Sequence, residues 1–168
     1  MEAAVPAPLA DCPPGTILES CPAAAAMAYE IAMRLKAQGG AALFIDYGYT
    51  APQTGSTLQA VRAHQKVDPF AEPGLADLTA LVDFAQLKQI ALAGDVECLG
   101  PVGQGDWLMA LGIGQRASML AKSQPAKAQD MMTALDRLVS PDQMGTLFKV
   151  IAYRGPAWPV GAGFGGTP

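Results

Sequence analysis

The stretch Gly39-Gly40-Ala41-Ala42-Leu43-Phe44-Ile45-Asp46-Tyr47-Gly48-Tyr49 decides the class of fold. Its glycine pair is typical of a helix end, and the apolar run 41–45 is too short for a helix and has no polar alternation. Such a run predicts a strand that is buried on both faces, as in the centre of a parallel sheet. Ligands of open α/β sheets lie beyond the carboxyl ends of the strands, so Asp46, Tyr47 and Tyr49 would lie at a candidate site. An ordinary strand-to-loop turn with a solvated Asp46 explains the stretch equally well.

Composition and charge exclude several classes of protein. The 168 residues suit one domain, and an apolar content of 51% with 15% charged residues is enough to build a core. A net charge of −4 without a run of basic residues argues against a nucleic-acid surface. No apolar run is long enough for a membrane span, and the first residues lack the pattern of a signal peptide, so we expect a cytoplasmic protein. Cys12, Cys21 and Cys98 are odd in number and lack the close pairing of a zinc site, so we expect reduced thiols.

The chain divides into three parts by composition. Residues 1–16 are rich in alanine and proline and predict an irregular lead-in, whereas residues 155–168 predict an arm rich in glycine and proline. Between them, the spacing of Met27, Ile31 and Leu35 predicts one face of a helix that ends at the glycine pair. A helix followed by a buried strand is half of an α/β repeat.

The segment from Thr50 to Leu81 is predicted to be a long loop with little regular structure, because its turn signals come at close intervals, although residues 57–64 could form a short strand or a helical turn. Long loops inside compact domains are often binding loops or lids. The loop contains His64, the one histidine of the chain, which could act as a general base or a substrate contact beside Asp46 or Asp68. A histidine that only fixes the loop by hydrogen bonding is the alternative.

Two other patterns have structural explanations. Asp83 with a glutamine three residues later fits a capping box, so it is more easily explained as a helix cap than as a catalyst. The glycines of the stretch 100–105 match neither nucleotide-binding pattern, and no second His or Cys stands at a spacing suited to a metal site.

Seven phrases of the chain occur in the same order in one known family. They are GGAALFIDYGY (39–49), STLQAVRAH (56–64), DPFAEPGLADLT (68–79), VDF (82–84), GPVGQG (100–105), LGIGQRA (111–117) and MGTLFKV (144–150). Over residues 17–154 the chain resembles the C-terminal part of the MidA-like methyltransferases, which include a mitochondrial complex I assembly factor. An ordered run of phrases is far more specific than any single motif.

The resemblance implies a fold, a cofactor and an activity. The fold would be α/β, the C-terminal portion of a Rossmann-like class I methyltransferase sheet with flanking helices and a long irregular loop. Strand 41–45 would be a late strand, and 96–99 and 146–153 would be the closing, antiparallel strands. The cofactor would be S-adenosylmethionine, and the substrate a protein arginine, as in the mitochondrial relatives that methylate a complex I subunit.

Two departures from the family carry consequences. The family's glycine-rich adenosylmethionine loop and its ribose-binding acid lie upstream of 39–49, and residues 1–38 could not supply them. We therefore expect a C-terminal part of a longer enzyme, with an exposed sheet edge and face, that binds the cofactor poorly when isolated. Leu81 also stands where relatives often carry a polar residue, so any contact that this position makes with substrate would be lost.

The resemblance implies the following roles for individual residues. Asp46 and His64 would be catalytic, and the substrate-binding candidates are Tyr47, Tyr49, Asp68 and Asp77. Carboxylates pair with a guanidinium and aromatic rings stack on it, while a carboxylate or histidine could accept the proton lost on methylation. Partners would be the protein substrate and either the missing N-terminal part or a second copy.

The alternative is a protein without catalytic activity. An interaction or assembly module could dock a partner through its sheet edge and its methionine-rich helices, which carry Met119, Met131 and Met132. An inactive, truncated remnant of the enzyme would also fit. The absent glycine-rich loop favours this interpretation, whereas the resemblance favours the enzyme.

Overall fold

The computed structural model describes residues 9–165. The first eight residues of the predicted lead-in and the last three of the predicted tail lie outside this range. The helices are α1 (Pro22–Gln38), α2 (Phe84–Ala93), α3 (Gln104–Ala110), α4 (Ile113–Ser123), α5 (Ala128–Val139) and α6 (Met144–Leu147), with a 3-10 turn at Pro125–Lys127. The strands are β1 (Ala41–Tyr49), β2 (Gln59–Arg62), β3 (Gln65–Val67), β4 (Asp77–Thr79), β5 (Val82–Asp83), β6 (Glu97–Gly103) and β7 (Phe148–Arg154).

A mixed four-stranded sheet forms the centre of the molecule. Its order is β5-β1-β7-β6, in which β1 runs parallel to β5 and antiparallel to β7, and β7 runs antiparallel to β6. The α/β prediction is confirmed, and so is the antiparallel pairing of the two closing strands.

The core lies between this sheet and the helices α1 and α2. Proline at the first position starts α1, and Gly39 with a positive φ ends it. The buried residues of this cluster are Ala28, Ala32, Leu35, Phe84, Leu87, Ala91, Val96, Ile151 and Tyr153. Tyr153 lies at its centre with its hydroxyl donating to the Leu87 carbonyl oxygen, which satisfies the buried polar group.

The prediction that strand 41–45 is buried on both faces is wrong. Side chains alternate along β1, so Ala42 and Phe44 pack on the core while Leu43 and Ile45 are 48% and 43% exposed. The physical reason is that, within residues 9–165, no second layer covers the face of β1 that carries Leu43 and Ile45, and no strand pairs with 41–47 on the edge opposite β7. The expected exposed edge and face are therefore present.

The prediction of a long irregular loop between residues 50 and 81 is also wrong in part. A three-stranded antiparallel sheet of order β3-β2-β4 lies within residues 59–79. Its strands have only three or four residues each and are mostly exposed, so they carry little periodic signal. Ala63 and His64 form the hairpin turn with positive φ angles of 50° and 62°, a conformation that sequences usually signal with Asn-Gly.

The tail is anchored on α3 through one of its two aromatic residues. Phe164 packs on Trp107 with ring centroids 6.2 Å apart, and the Trp107 indole N–H donates to the Ala162 carbonyl oxygen at 3.2 Å. The other aromatic residue, Trp158, is half exposed.

Replacing Phe84 by alanine should destabilise the fold, because its ring is fully buried between α1, α2 and β1. We expect the free energy of unfolding to fall by about 3–5 kcal/mol, as is typical when a large aromatic side chain is deleted from a core. Urea denaturation followed by circular dichroism measures it. Phe70→Ala is the matched control, since Phe70 is 81% exposed and its loss should change stability by no more than about 0.5 kcal/mol.

Candidate functional site

A cavity of about 630 Å³ lies beyond the carboxyl ends of β1 and β5. Tyr49 and Asp83, the last residues of these two parallel strands, are neighbours in its wall. The remaining lining residues come from three segments, and they are Leu18, Glu19, Ser20, Cys21, Ala24, Ser56, Leu58, Ala80, Leu81, Val82, Gln86 and Leu87. The cavity therefore lies at the end of the sheet where α/β proteins bind ligands.

Glu19 holds the segments of the wall together. Its carboxylate accepts hydrogen bonds from the Ser56 hydroxyl at 2.9 Å, the Thr57 backbone N–H at 2.8 Å and the Thr57 hydroxyl at 2.5 Å. The Thr57 hydroxyl oxygen accepts in turn from the Leu81 N–H at 3.0 Å. The Thr57 hydroxyl is the main reason that the pKa of Glu19 lies below its ordinary value, against the opposing effect of burial. An ionised Glu19 thus fixes the shape of the cavity.

Asp83 adds a second carboxylate to the wall. One of its oxygens accepts the Gln86 N–H at 2.9 Å, which confirms the predicted helix cap. Burial raises the pKa of the Tyr49 phenol, and the nearby charges of Asp83 and Glu19 raise it further. The phenol therefore stays neutral beside two acids.

The cavity combines apolar walls with negative charge. Leucine side chains from three segments contact its interior, and these are Leu18, Leu58 and Leu81. A ligand with an alkyl stem and a cationic head matches this combination. Leu81, which the sequence flagged as a departure from the family, contributes apolar surface here.

Of the residues predicted on β1, only Tyr49 lines this cavity. Tyr47 lies nearby in the sequence, but its hydroxyl pairs with the Thr79 hydroxyl and its ring packs edge-on against Phe148, with centroids 5.5 Å apart. Asp46 accepts the Tyr47 N–H at 2.8 Å and lines a separate groove along β1. Tyr47 thus links β1 to β4, and the roles predicted for both residues stay predictions.

The predicted residues of the small sheet are all exposed. His64 lies at the tip of the β2–β3 hairpin, and Asp77 begins β4. Asp68 accepts the Phe70 N–H at 2.9 Å. Across residues 9–165, no hydrogen bond or ion pair joins His64 to Asp46 or Asp68. The predicted catalytic pairing is therefore not formed in this structure, and its role stays a prediction.

Sequence reasoning missed Glu19 and Thr57. Glu19 follows Ile17 and Leu18 and precedes α1. An acidic residue just before a helix is common, so the sequence alone does not mark it as functional. Its partners are 37 and 38 residues away, so only the tertiary structure reveals the network. The sequence identified Asp83 only as a helix cap, although it both caps α2 and lines the cavity.

Two further properties concern residues 9–165 as a whole. They contain no group of three or more His, Cys, Asp or Glu side chains placed to hold a metal ion. None of their helices has the length and apolar character needed to cross a membrane.

Glu19→Gln should lower stability in a pH-dependent way. A folded-state pKa below the ordinary 4.5 means that the stabilisation is present above that value and is lost as the pH falls through the folded pKa. The urea midpoint of the variant should lie below that of the unaltered protein at pH 7, and the two should converge at acid pH. Glu30→Gln, at an exposed position of α1, is the control and should leave the midpoint unchanged at both pH values. A constant difference across pH would contradict the prediction.

Comparison with known proteins identifies the family. The Methyltransf_28 family model, which describes S-adenosyl-L-methionine-dependent methyltransferases, matches residues 1–102. The protein arginine methyltransferase NDUFAF7 of Danio rerio mitochondria is 39% identical over 134 residues, which cover 79% of this chain and 31% of that protein. The Homo sapiens NDUFAF7 is 36% identical over 137 residues, or 80% of this chain and 31% of the relative.

Solved structures agree with this result. A homologue from Burkholderia thailandensis with bound S-adenosyl-homocysteine superposes with a TM-score of 0.70 at 31% identity, and the match covers 80% of this chain and 36% of that one. A second structure from the same organism also gives a TM-score of 0.70, at 32% identity. The chain spans about a third of the length of the curated relatives that it matches. Sequence and fold together show that this chain belongs to the S-adenosyl-L-methionine-dependent methyltransferase family that includes the NDUFAF7 proteins.

Proposed function

We propose that the chain forms the substrate side of a protein-arginine methyltransferase that uses S-adenosylmethionine. The observation that carries the proposal is the cavity at the carboxyl ends of β1 and β5, where Glu19, Asp83 and Tyr49 meet apolar walls. An arginine side chain has the matching chemistry, because its alkyl stem is apolar and its guanidinium is a planar cation that pairs with carboxylates and stacks on aromatic rings. The names of the relatives support the same substrate class.

The described residues do not fit the adenosylmethionine itself. The glycines closest to a nucleotide-type loop are used for packing: a Cβ on Gly105 would lie 2.4 Å from the Val139 carbonyl oxygen, and a Cβ on Gly103 would lie 3.0 Å from that of Gly145. Their backbone therefore faces protein and offers no open cradle. We infer that the cofactor is held by a part of the family polypeptide outside residues 9–165, and we derive no step through it.

The chain's own acids have two tasks under this proposal. Glu19 keeps the cavity in shape through Ser56 and Thr57, while Asp83 attracts the guanidinium and is a candidate acceptor for the proton that methylation releases. Asp46 and His64 stay candidates for that proton as well. Alanine at either position would lower activity of the complete enzyme if the prediction is right.

The finer parts of the proposal concern the substrate and the setting. A complex I subunit is the proposed substrate by analogy with the mitochondrial relatives, and a cytoplasmic location is proposed from the sequence.

The second candidate function is a non-catalytic docking module, which the exposure of Met119 (71%) and Met132 (45%) on α4 and α5 favours.

We expect the chain alone to bind S-adenosylmethionine weakly or not at all, because the glycines that could have formed its cradle are packed against backbone. Isothermal titration calorimetry of the cofactor into the purified chain measures this directly. Tight binding would contradict the inference that the cofactor is held elsewhere, and would leave the arginine cavity to be tested separately.

The arginine cavity is tested by peptide binding. We expect the chain to bind an arginine-containing peptide more tightly than the same peptide with lysine, and Asp83→Asn to weaken the arginine peptide about tenfold through loss of one charge-assisted hydrogen bond. Asparagine caps helices as well as aspartate, so the fold should be retained. Asp130→Asn, in the first turn of α5, is the control and should bind like the unaltered chain.

Equal binding of both peptides, or an unchanged affinity in Asp83→Asn, would overturn the assignment of the cavity to arginine. Nuclear magnetic resonance shifts of Tyr49 on titration would identify the cavity as the place of binding.

A further inference from the structure

The small sheet β3-β2-β4 has one face turned toward the central sheet and one turned away from it. On the inner face, the hydroxyl of Thr79 pairs with that of Tyr47 on β1. Because side chains alternate along a strand, Leu78 and its cross-strand partner Ala60 lie on the opposite face. We call this opposite face the outer face, and its residues, taken from the strand register and its continuation, are Leu58, Ala60, Arg62, Gln65, Val67, Leu78 and Ala80.

The loop 68–76, which joins β3 to β4, lies on the same side. Its Glu72 forms an ion pair with Arg62, and this contact ties the loop to the outer face. The loop and the neighbouring strand β4 leave large apolar side chains open. Phe70, Leu75 and Leu78 are 81%, 60% and 62% exposed. Apolar side chains grouped in this way, unlike ones scattered singly, mark interaction surfaces.

The outer face runs into the cavity at the carboxyl ends of β1 and β5. Leu58 lies just before β2 and Ala80 just after β4, and both line that cavity. Leu78 stands two residues before Ala80, which is about 7 Å along an extended chain. A peptide whose arginine enters the cavity therefore has its neighbouring residues within reach of Leu78.

The chemistry of the outer face favours an apolar neighbour. Of its residues only Arg62 is charged, and Glu72 already engages the guanidinium. A charged side chain placed against Leu78 would lose water without gaining a partner among the residues of this face. Since every second residue of an extended peptide points to the same side, the contact would fall on the residue two positions from the arginine.

We propose that the outer face, with Phe70 and Leu78 as its anchors, binds the segment of the protein substrate that flanks the methylated arginine. It selects a bulky apolar residue two positions from that arginine. The inference rests on the proposed function, because it takes the cavity as the place of the arginine side chain. It gives residues outside the cavity a role in the choice of substrate.

Peptide binding to the full 168-residue chain tests this. The probes are two synthetic peptides with a central arginine among glycine and serine residues, and one of them carries leucine two positions before and after the arginine. Isothermal titration calorimetry should give about fivefold tighter binding of the leucine peptide, because a leucine side chain is partly buried on the outer face. Leu78→Ser and Phe70→Ser should each remove most of this advantage and leave the affinity for the serine peptide unchanged.

Leu92→Ser is the matched control. Leu92 is 53% exposed on α2 and lies outside both the outer face and the cavity, so its variant should keep the full leucine advantage. Asp83→Asn is the control for the cavity. It should weaken both peptides by the same factor, because it removes a contact with the arginine that both peptides share.

The outcomes separate the outer face from the cavity. Equal affinities of the two peptides, or an advantage that persists in both Leu78→Ser and Phe70→Ser, would overturn the proposal even if the cavity prefers arginine to lysine. A leucine advantage that is unchanged when lysine replaces arginine, with no loss of affinity, would support the docking surface and overturn the arginine assignment. A dimer in light scattering that Leu78→Ser or Phe70→Ser dissociates would assign the outer face to a second copy and overturn the proposal.

Discussion

The antiparallel pairing of β1 with β7 is the interaction on which the rest of the structure depends. Seven consecutive residue pairs join the two strands, from Ala41 with Arg154 to Tyr47 with Phe148. The pairing places the ring centroids of Phe44 and Tyr153 5.0 Å apart, edge to face. Helices α1 and α2 pack on these rings. It also sets where β1 ends, and hence where Tyr49 meets Asp83 and the cavity begins.

The sequence predicts the local elements of this fold well and its long-range contacts poorly. Helix α1 is readable because Pro22 and the glycine pair mark both ends, and Asp83 is readable as a cap because its partner is three residues away. The small sheet is not readable, since its strands are short and its turn at Ala63 and His64 lacks the usual glycine. Secondary-structure propensity is a property of a few neighbouring residues, whereas the pairing of these short strands depends on contacts with distant parts of the chain.

The candidate site shows the same limit. Tyr49 could be placed because ligands lie beyond the ends of strands, a rule that needs only the strand itself. Glu19 could not, because its importance comes from Ser56 and Thr57, which the helix α1 and the strand β1 separate from it in the chain. The burial of β1 was predicted wrongly for a related reason: an apolar run shows that a strand needs cover, but not whether the cover belongs to the same segment of chain.

The register of the central pair also has a consequence for biosynthesis. Ala41 pairs with Arg154, so β1 leaves the ribosome about 110 residues before the strand that pairs with it. At about 5–20 residues per second, this delay lasts several seconds or more. During that time the edge of this uncharged apolar strand that β7 later occupies is bare. The segment 41–45 is thus open to misassociation while the chain is being made.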